Sequence, residues 1–511
     1  MIVVYHANSK VSAVVAADNQ PILFDSKKTI ADVFLVLAKQ FPDTILVWCH
    51  LELKESLNLD EVTILLHHDK MMLSYASHNY ISTEIGYVEE SLFANPNKKV
   101  SFATWQMGSE VGAIHAKVIH VISDTIRPEK DFDYFLNSLA KLAMPLGLLC
   151  YSEPKLLKHQ HHFSKNRTSF FTLFRFVKQH YKTRWVFLLF FNLILYEFKF
   201  PLFPLLFSFF FRKRNSKRID LEHIKVKSHK IVTDKKTVDV IIPTIGRKNY
   251  LYDVLKDFSV QTHLPTKIII VEQNPDPHSI SNLEYIYTEK WPCKIQHFFI
   301  HQSGACNARN LALSQIQSEW IFFADDDIRI SADFLQNSFQ NSISYGTNVA
   351  TFSCLQKEHK QIYKNVMQWG SFGSGCSLIK SELVLNIKFK TDFEFGYGED
   401  SDFGMQLRNE GHDVLYLPHP EILHLKAPIG GFRTKPQLLW QDDRIQPKPS
   451  PTVMLFILSH NTQQQLLGYK TTLFFKYYRH QKIKNPIVYF FNFQKQWKQS
   501  IFWANQLKAK G

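Results

Sequence analysis

The sequence predicts an α/β protein with two successive domains, and three observations carry that prediction. Short apolar runs at Val238–Arg247, Lys267–Val271 and Ile295–Ile300 alternate with helical spacing such as Leu251, Val254, Leu255 and Phe258. That alternation reads as βαβ units and a parallel sheet. The next apolar run, in IFFADDDIRI (Ile321–Ile330), ends in Asp325, Asp326 and Asp327. The carboxyl end of a strand is where open α/β sheets place their ligands. Third, residues 1–157 show their own alternation of strands and helices, and a chain of 511 residues that is 45% hydrophobic can bury two cores.

In chain order, the N-terminal domain (1–157) has expected strands at Met1–Tyr5, Thr44–Cys49, Val62–Leu66 and Val118–Ile122, with helices at Ile30–Gln40 and Tyr134–Leu142. His67, His68 and Asp69 could ligate a metal, but no partner cluster follows, so a surface turn is the expected reading. His159, His161 and His162 read as a solvated linker. Residues 158–235 hold Trp185–Phe211, which is long enough to span a bilayer and is flanked by Arg184 and by Arg212–Arg218. Glu197, Lys199, Pro201 and Pro204 interrupt it. A charge at mid-bilayer costs about 2.5–3.5 kcal/mol, and the prolines break a helix. Two short pieces at a membrane interface are therefore expected, with a buried helix pair between domains as the alternative. The following basic residues place that side in the cytoplasm.

The third segment, 236–443, holds the βαβ pattern, and 444–511 forms a tail. Net charge is +14, no carboxylate side chain follows Asp443, and eleven Lys and Arg do. They interleave with aromatics, as in LFFKYYRHQKIKNPIVYFFNF, which suits an anionic membrane surface. Nucleic acid ranks lower, because the rings come in apolar blocks; packing of the tail on the preceding domain stays open. Six scattered cysteines without CxxC spacing indicate reduced thiols. Met1–Val15 lacks the basic start and apolar core of a signal peptide, so the second domain is expected to face the cytosol.

Three adjacent carboxylates repel one another unless a cation sits among them, and a hard divalent ion fits. A solvated acidic turn, with one Asp capping a helix, is the plain alternative. Residues two apart on an extended segment point the same way, so Asp325 and Asp327 face one side and Asp326 the other.

VIIPTIGR, IIIVEQ, GACNARNLAL and FFADDDI, in that order, resemble the nucleotide-sugar half of family 2 glycosyltransferases with the GT-A fold. FGSGCSLIK and FEFGYGEDSDFGMQLRNEGHDV resemble the acceptor half, and the second is also similar to the GEDxD-type motif of galactosyltransferase C-terminal domains. The resemblance covers Val238–Arg433. It implies a mixed, mostly parallel sheet between helices and a nucleotide-diphosphate sugar of UDP or GDP type. Pro243, Thr244, Gly246, Arg247, Glu272, Gly304, Arg309, Asp325 and Asp326 would hold the donor, Glu272 standing where the family has an Asp pair. Asp325, Asp327 and His424 would hold Mn²⁺ or Mg²⁺. The family match puts the catalytic base in the Glu399–Asp400 pair, with Asp400 as the base. Glu399, Gly375 and Asp402 would then face the acceptor, although a carboxylate at a helix start such as Asp402 is also favoured on structural grounds alone. Lys426–Arg433 would be a lid or an ordinary surface loop. VWCHLEL, LLHHDKMML and TWQMGSEVGA resemble the leading domain of two-part bacterial glycosyltransferases, which implies a degenerate copy of the fold.

The expectation is a metal-dependent, inverting glycosyltransferase. It would act on a lipid-linked or surface-polysaccharide acceptor at the cytoplasmic face of the plasma membrane, peripheral or monotopic, with no nucleic-acid partner. A catalytically silent scaffold that binds glycan is the second reading, and the clustered carboxylates speak against it.

Overall fold

Strands form in this chain where apolar residues run continuously, and those runs build two sheets. The computed structural model describes residues 1–511 apart from 8, 124, 160–167, 215–218, 429–436 and 510–511. It divides into residues 1–230 with 461–479, and residues 231–460 with 480–511.

The first unit contains β1 (Ile2–Ala7), β2 (Lys10–Ala16), β3 (Ile45–His50), β4 (Met71–Tyr75), β5 (Phe102–Ala103), β6 (Val111–His115) and β7 (Leu149–Ser152), in the sheet order β2-β1-β3-β6-β4-β7-β5. Around it lie α1 (Ile30–Gln40), α2 (Leu59–Leu65), α3 (Ala116–Ile122) and α4 (Phe132–Ala143). α1 begins with a reciprocal cap, in which Thr29 accepts from the Asp32 amide and Asp32 accepts from the Thr29 amide. Two expected strands are helices. Val62–Leu66 falls mainly in α2, whose first turn carries Asp60 and Glu61, and Val118–Ile122 falls in α3, which the His115 ring caps at Lys117 N. Short apolar runs do not separate helix from strand; the acidic first turn of α2 and the His115 cap of α3 favour helix here. His67 and His68 are not a surface turn either: His68 is buried, and His67 Nδ1 lies 2.9 Å from Ser228 Oγ. Burial, with neighbouring cations, pushes both imidazoles down to about 3. His161 and His162 lie outside the described residues.

The segment expected as a linker forms α5 (Phe170–His180), α6 (Arg184–Glu197) and α7 (Leu202–Ser208). Phe174, Phe176, Val186, Leu189, Leu193 and Leu205 join the first unit's core. No helix among the described residues is long and apolar enough to cross a membrane.

The second unit contains β8 (Val238–Thr244), α8 (Lys248–Ser259), β9 (Lys267–Gln273), α9 (Tyr285–Thr288), β10 (Lys294–Ile300), α10 (Ala305–Leu313), β11 (Trp320–Ala324), β12 (Ile328–Arg329) and α11 (Phe334–Tyr345). β13 (Val349–Leu355), β14 (Met367–Gln368), β15 (Cys376–Lys380), α12 (Glu399–Asn409), β16 (Leu415–His424) and α13 (Pro451–His460) follow. The sheet order is β10-β9-β8-β11-β15-β13-β16-β12, with β14 on β16. Successive residues of the central strands feed opposite faces: Val240, Ile242, Ile268 and Ile270 enter one core, and Ile241, Ile269 and Val271 the other. Both faces are buried, which is why these strands read as unbroken apolar runs.

The two sheets share a path. In the first, β1 is parallel to β3, β3 antiparallel to β6, β6 antiparallel to β4, β4 parallel to β7, and β5 antiparallel to β7. In the second, β8, β11, β15, β13, β16 and β14 repeat those relations in the same chain order.

The tail is helical. α14 (Gln463–His480) lies almost wholly in the residues that return to the first unit, and α15 (Pro486–Lys508) stays in the second. α15 buries Tyr489, Phe493, Trp497, Ser500 and Ala504, one helical stripe, and Asp443 Oδ2 accepts from Gln499 at 2.7 Å and from Trp503 at 2.6 Å. All six cysteines are free.

Candidate active site

The carboxyl ends of β8, β11 and β16 and the start of α10 surround one cavity of about 470 Å³. Such a volume suits a small-molecule ligand. Its wall includes Arg247, Arg309, all three aspartates of the triplet, Glu399, His424 and Lys426.

Asp325, Asp327 and His424 each offer a ligand atom within 4.8 Å of the others, the one such group of three among the described residues. The pairing of Ile328 with His424 brings the end of β16 beside the triplet, although 97 residues separate Asp327 from His424 in sequence. Asp327 is almost wholly buried; its backbone carbonyl accepts from Leu425 N at 2.8 Å, and its Oδ2 accepts from Ala427 N at 2.8 Å. Its Oδ1 is buried and accepts no hydrogen bond, although His424 Nε2 lies 3.3 Å away. Burial raises the Asp327 carboxyl, but His424, the Ala427 amide and Arg247 outweigh it and hold the group below the usual carboxylate range. Two carboxylates and an imidazole around an orphaned oxygen fit a divalent cation with open positions left for substrate oxygens.

Asp326, expected to point away, binds the end of β8. Its Oδ2 accepts from Thr244 Oγ1 and its Oδ1 from Arg247 Nη1, both at 2.6 Å. Burial lifts this carboxyl to about 6 against those two partners. Arg247 also stands 3.3 Å from Asp327 Oδ2, and buried Arg309 places Nη2 3.3 Å from Asp325 Oδ1. Both guanidiniums thus sit among the carboxylates, where burial lowers them but the acidic neighbours raise them more.

Several expected contacts are placed differently. Glu272 is not on the cavity wall; its carboxylate accepts from Asn282 N at 3.3 Å and pairs with His297 Nε2 at 3.0 Å. Successive strand residues face opposite ways, so Gln273 lines the cavity instead, and its Oε1 accepts from Gly304 N. Gly246 (φ +64°) shapes the turn without lining the cavity, whereas Pro243 and Thr244 do line it. Gly375 is not on the cavity wall; a Cβ there would lie 2.2 Å from Asp325 Cγ, so its lack of a side chain is what seats that carboxylate. Asp402 is buried away from the cavity and accepts from His460 Nε2 at 2.7 Å, Gln406 Nε2 at 2.8 Å and Lys390 Nζ at 3.0 Å. It is a structural hub. Of the expected lid, residues 429–433 lie outside the described residues, while Lys426 (φ +55°) lines the cavity.

Glu399 and Asp400 open α12. Glu399 lines the cavity, and burial together with the Asp400 charge raises its carboxyl to about 7. Asp400 is not on the wall; it bonds Ser374, its Oδ1 is buried without a partner, and burial raises it too.

Glu394 was not foreseen. It accepts from the amides of Cys306 and Asn307, each at 3.0 Å, and so caps α10 from 88 residues away. Gly304, the N-cap, has φ +141°, and a Cβ there would lie 2.4 Å from Glu394 Cδ. A helix start with no capping side chain of its own was the available signal.

A mixed sheet between helices, with an acidic triplet at its carboxyl pole, gives the second unit the GT-A fold. Residues 239–396 match the family described as Glycosyl transferase family 2, and this part of the chain is a family 2 glycosyltransferase domain. No curated protein matches the chain. Among solved structures, S. aureus TarS is similar at 18% identity, covering 38% of this chain and 37% of that chain, with a TM-score of 0.32. TarS 1-349 in complex with UDP-GlcNAc is 17% identical over 45% of this chain and 69% of that chain, with a TM-score of 0.35. GalNAc-T7 with UDP, GalNAc and Mn²⁺ is 12% identical over 37% of this chain and 44% of that chain, with a TM-score of 0.30. The chain therefore spans little more than a third of the full TarS chain.

Proposed function

We propose that this protein is an inverting, divalent-metal-dependent glycosyltransferase that moves a sugar from a nucleotide diphosphate to a lipid-linked or surface-polysaccharide acceptor at the cytoplasmic face of the plasma membrane. The observation that carries this reading is the Asp325–Asp327–His424 cluster facing Glu399 across one cavity, with Arg247 and Arg309 beside it. Asp325, Asp327 and His424 would hold Mn²⁺ or Mg²⁺, which when bound supplies Lewis-acid stabilisation of the diphosphate leaving group. Arg247, Arg309 and Lys426 add positive charge where negative charge grows, in a partly dehydrated site that strengthens the effect.

Inversion by direct displacement needs a base at the acceptor hydroxyl. The hydroxyl oxygen bonds to the anomeric carbon, the bond from that carbon to the phosphate oxygen breaks with its electron pair, and the proton passes to a carboxylate. We assign that role to the Glu399–Asp400 pair. Glu399 is the member presented to the cavity, and a carboxyl near 7 is matched to proton abstraction at neutral pH. Asp400, the base expected from sequence, keeps Glu399 basic through like-charge repulsion.

Calorimetric titration with UDP, GDP and their sugars, in Mn²⁺ and then in EDTA, tests the reading. Metal-dependent binding of one nucleotide is expected. Folded protein that binds none of them would favour the silent scaffold instead.

A further inference from the structure

The first unit carries an apolar surface that its own core leaves unused. α6 is apolar on nearly every side: Val186, Leu189 and Leu193 are buried, while Phe187, Phe191 and Leu195, spaced by four, are exposed. The chain then reverses at Phe198 (φ +55°), which is 93% exposed. α7 repeats the pattern, burying Pro204 and Leu205 and leaving Phe203 76% exposed, and Phe210, just past its end, is 83% exposed. A helix that is apolar all round belongs in a core or in lipid, and an exposed apolar patch rimmed by polar residues marks a binding surface.

The charges around the patch identify the occupant. Arg184, Lys199, Arg212 and Lys213 are exposed at its edges, and Lys178 Nζ lies 5.8 Å from the Phe209 ring. The acid within the segment, Glu197, is paired with Lys199 at 2.6 Å and accepts from Tyr87 Oη at 3.0 Å. Fourteen residues of α6 and seven of α7 extend about 21 and 10 Å, short of the roughly 30 Å hydrocarbon core. The exposed set is almost all Phe and Leu, without the hydrogen-bonding groups that fix register in a protein interface.

We propose that the α6–α7 hairpin inserts its exposed phenylalanines into the interfacial zone of an anionic lipid bilayer, with the flanking cations on the headgroup phosphates. This specifies the membrane part of the proposed function and does not depend on sugar transfer.

The test is co-sedimentation of the full chain with phosphatidylcholine vesicles, with and without phosphatidylglycerol. The wild type should bind the anionic vesicles at least about tenfold better than the neutral ones. Phe198→Ser/Phe203→Ser/Phe210→Ser should lose at least about tenfold of that binding while nucleotide titration and the melting temperature stay unchanged. Arg212→Ser/Lys213→Ser should narrow the gap between the two vesicle types and keep binding to both. The proposal is overturned if the folded triple-serine chain binds vesicles as the wild type does, or if the wild type binds neither. It is also overturned if the substitutions only dissolve a dimer seen by light scattering. Loss of nucleotide binding in the wild type would sink the transferase reading and leave this one standing.

Discussion

β3 of the first sheet runs into His50, Leu51 and Glu52, whereas β11 of the second runs into Asp325, Asp326 and Asp327. The two ends are tied alike: the His50 amide donates to Glu110 O at 2.7 Å, and the Asp325 amide to Gly375 O at 3.3 Å. Yet where Gly375 leaves room for a carboxylate, the first sheet has Glu110, whose own carboxylate is taken up by Ser77 N and Oγ at 3.0 and 3.1 Å. The path of a sheet is thus separable from the chemistry at its pole. Apolar runs and register set the path, and a few residues beyond the last ladder pair set the chemistry.

The comparison can be broken most decisively at Asp327. Asp327→Ala should abolish metal-dependent nucleotide binding and lower transfer by about a thousandfold or more. Glu52→Ala, at the corresponding place in the first sheet, should change neither; a fall in nucleotide affinity there by calorimetry would show two working poles. Gly375→Ala forces Asp325 to move and should weaken nucleotide binding by about ten- to a hundredfold, since overpacking costs about 1–3 kcal/mol. Wild-type affinity in that variant would mean Asp325 sits elsewhere when ligand is bound.

Asp402→Ala should cost about 3 kcal/mol of stability in urea unfolding, because it leaves the His460 contact of a buried carboxylate unmade. Burial raises the Asp402 carboxyl, but His460 and Lys390 outweigh this and hold it below the ordinary range. Its contribution is therefore present above the unfolded pKa near 4 and lost as pH falls through the lower folded value. The variant should accordingly lose the wild type's extra sensitivity to acid below about pH 4. The smallest effect expected is on a profile. Transfer should rise with pH through about 7 as Glu399 loses its proton. Asp400→Asn removes the neighbouring charge and should move that limb to lower pH, on whatever activity remains. A limb that stays in place would remove Asp400 from the tuning of Glu399.

Much of the second unit was legible because its central strands are buried on both faces and its chemistry sits directly after them. The triplet could be proposed from where an apolar run stops, whereas Arg247, Arg309 and His424 came from the family resemblance. What failed depended on direction or distance. Glu272 and Gln273 differ only in which face of β9 they occupy. Asp402 carried two readings, acceptor contact and structural helix start, and His460, 58 residues on, favours the structural one. Glu394 was invisible because its two donor amides are supplied from 87 and 88 residues away. In the first unit, helices with clear periodicity such as Ile30–Gln40 could be read, while five-residue apolar runs at 62–66 and 118–122 could not.

The return of residues 461–479 to the first unit sets a timetable for biosynthesis. Gln465 Nε2 donates to the carbonyls of Glu89 and Ser91, and Thr471 Oγ1 donates to the side chain of buried Asn192. Those acceptors belong to residues made early, and their donors are made 279 to 376 residues later. At roughly 5–20 residues per second, the early unit waits for its last helix for on the order of 12–50 s after residue 230 leaves the ribosome. During that interval the whole second sheet is synthesised, so the N-terminal half, although first in the chain, closes only after the sheet of the second unit has been made.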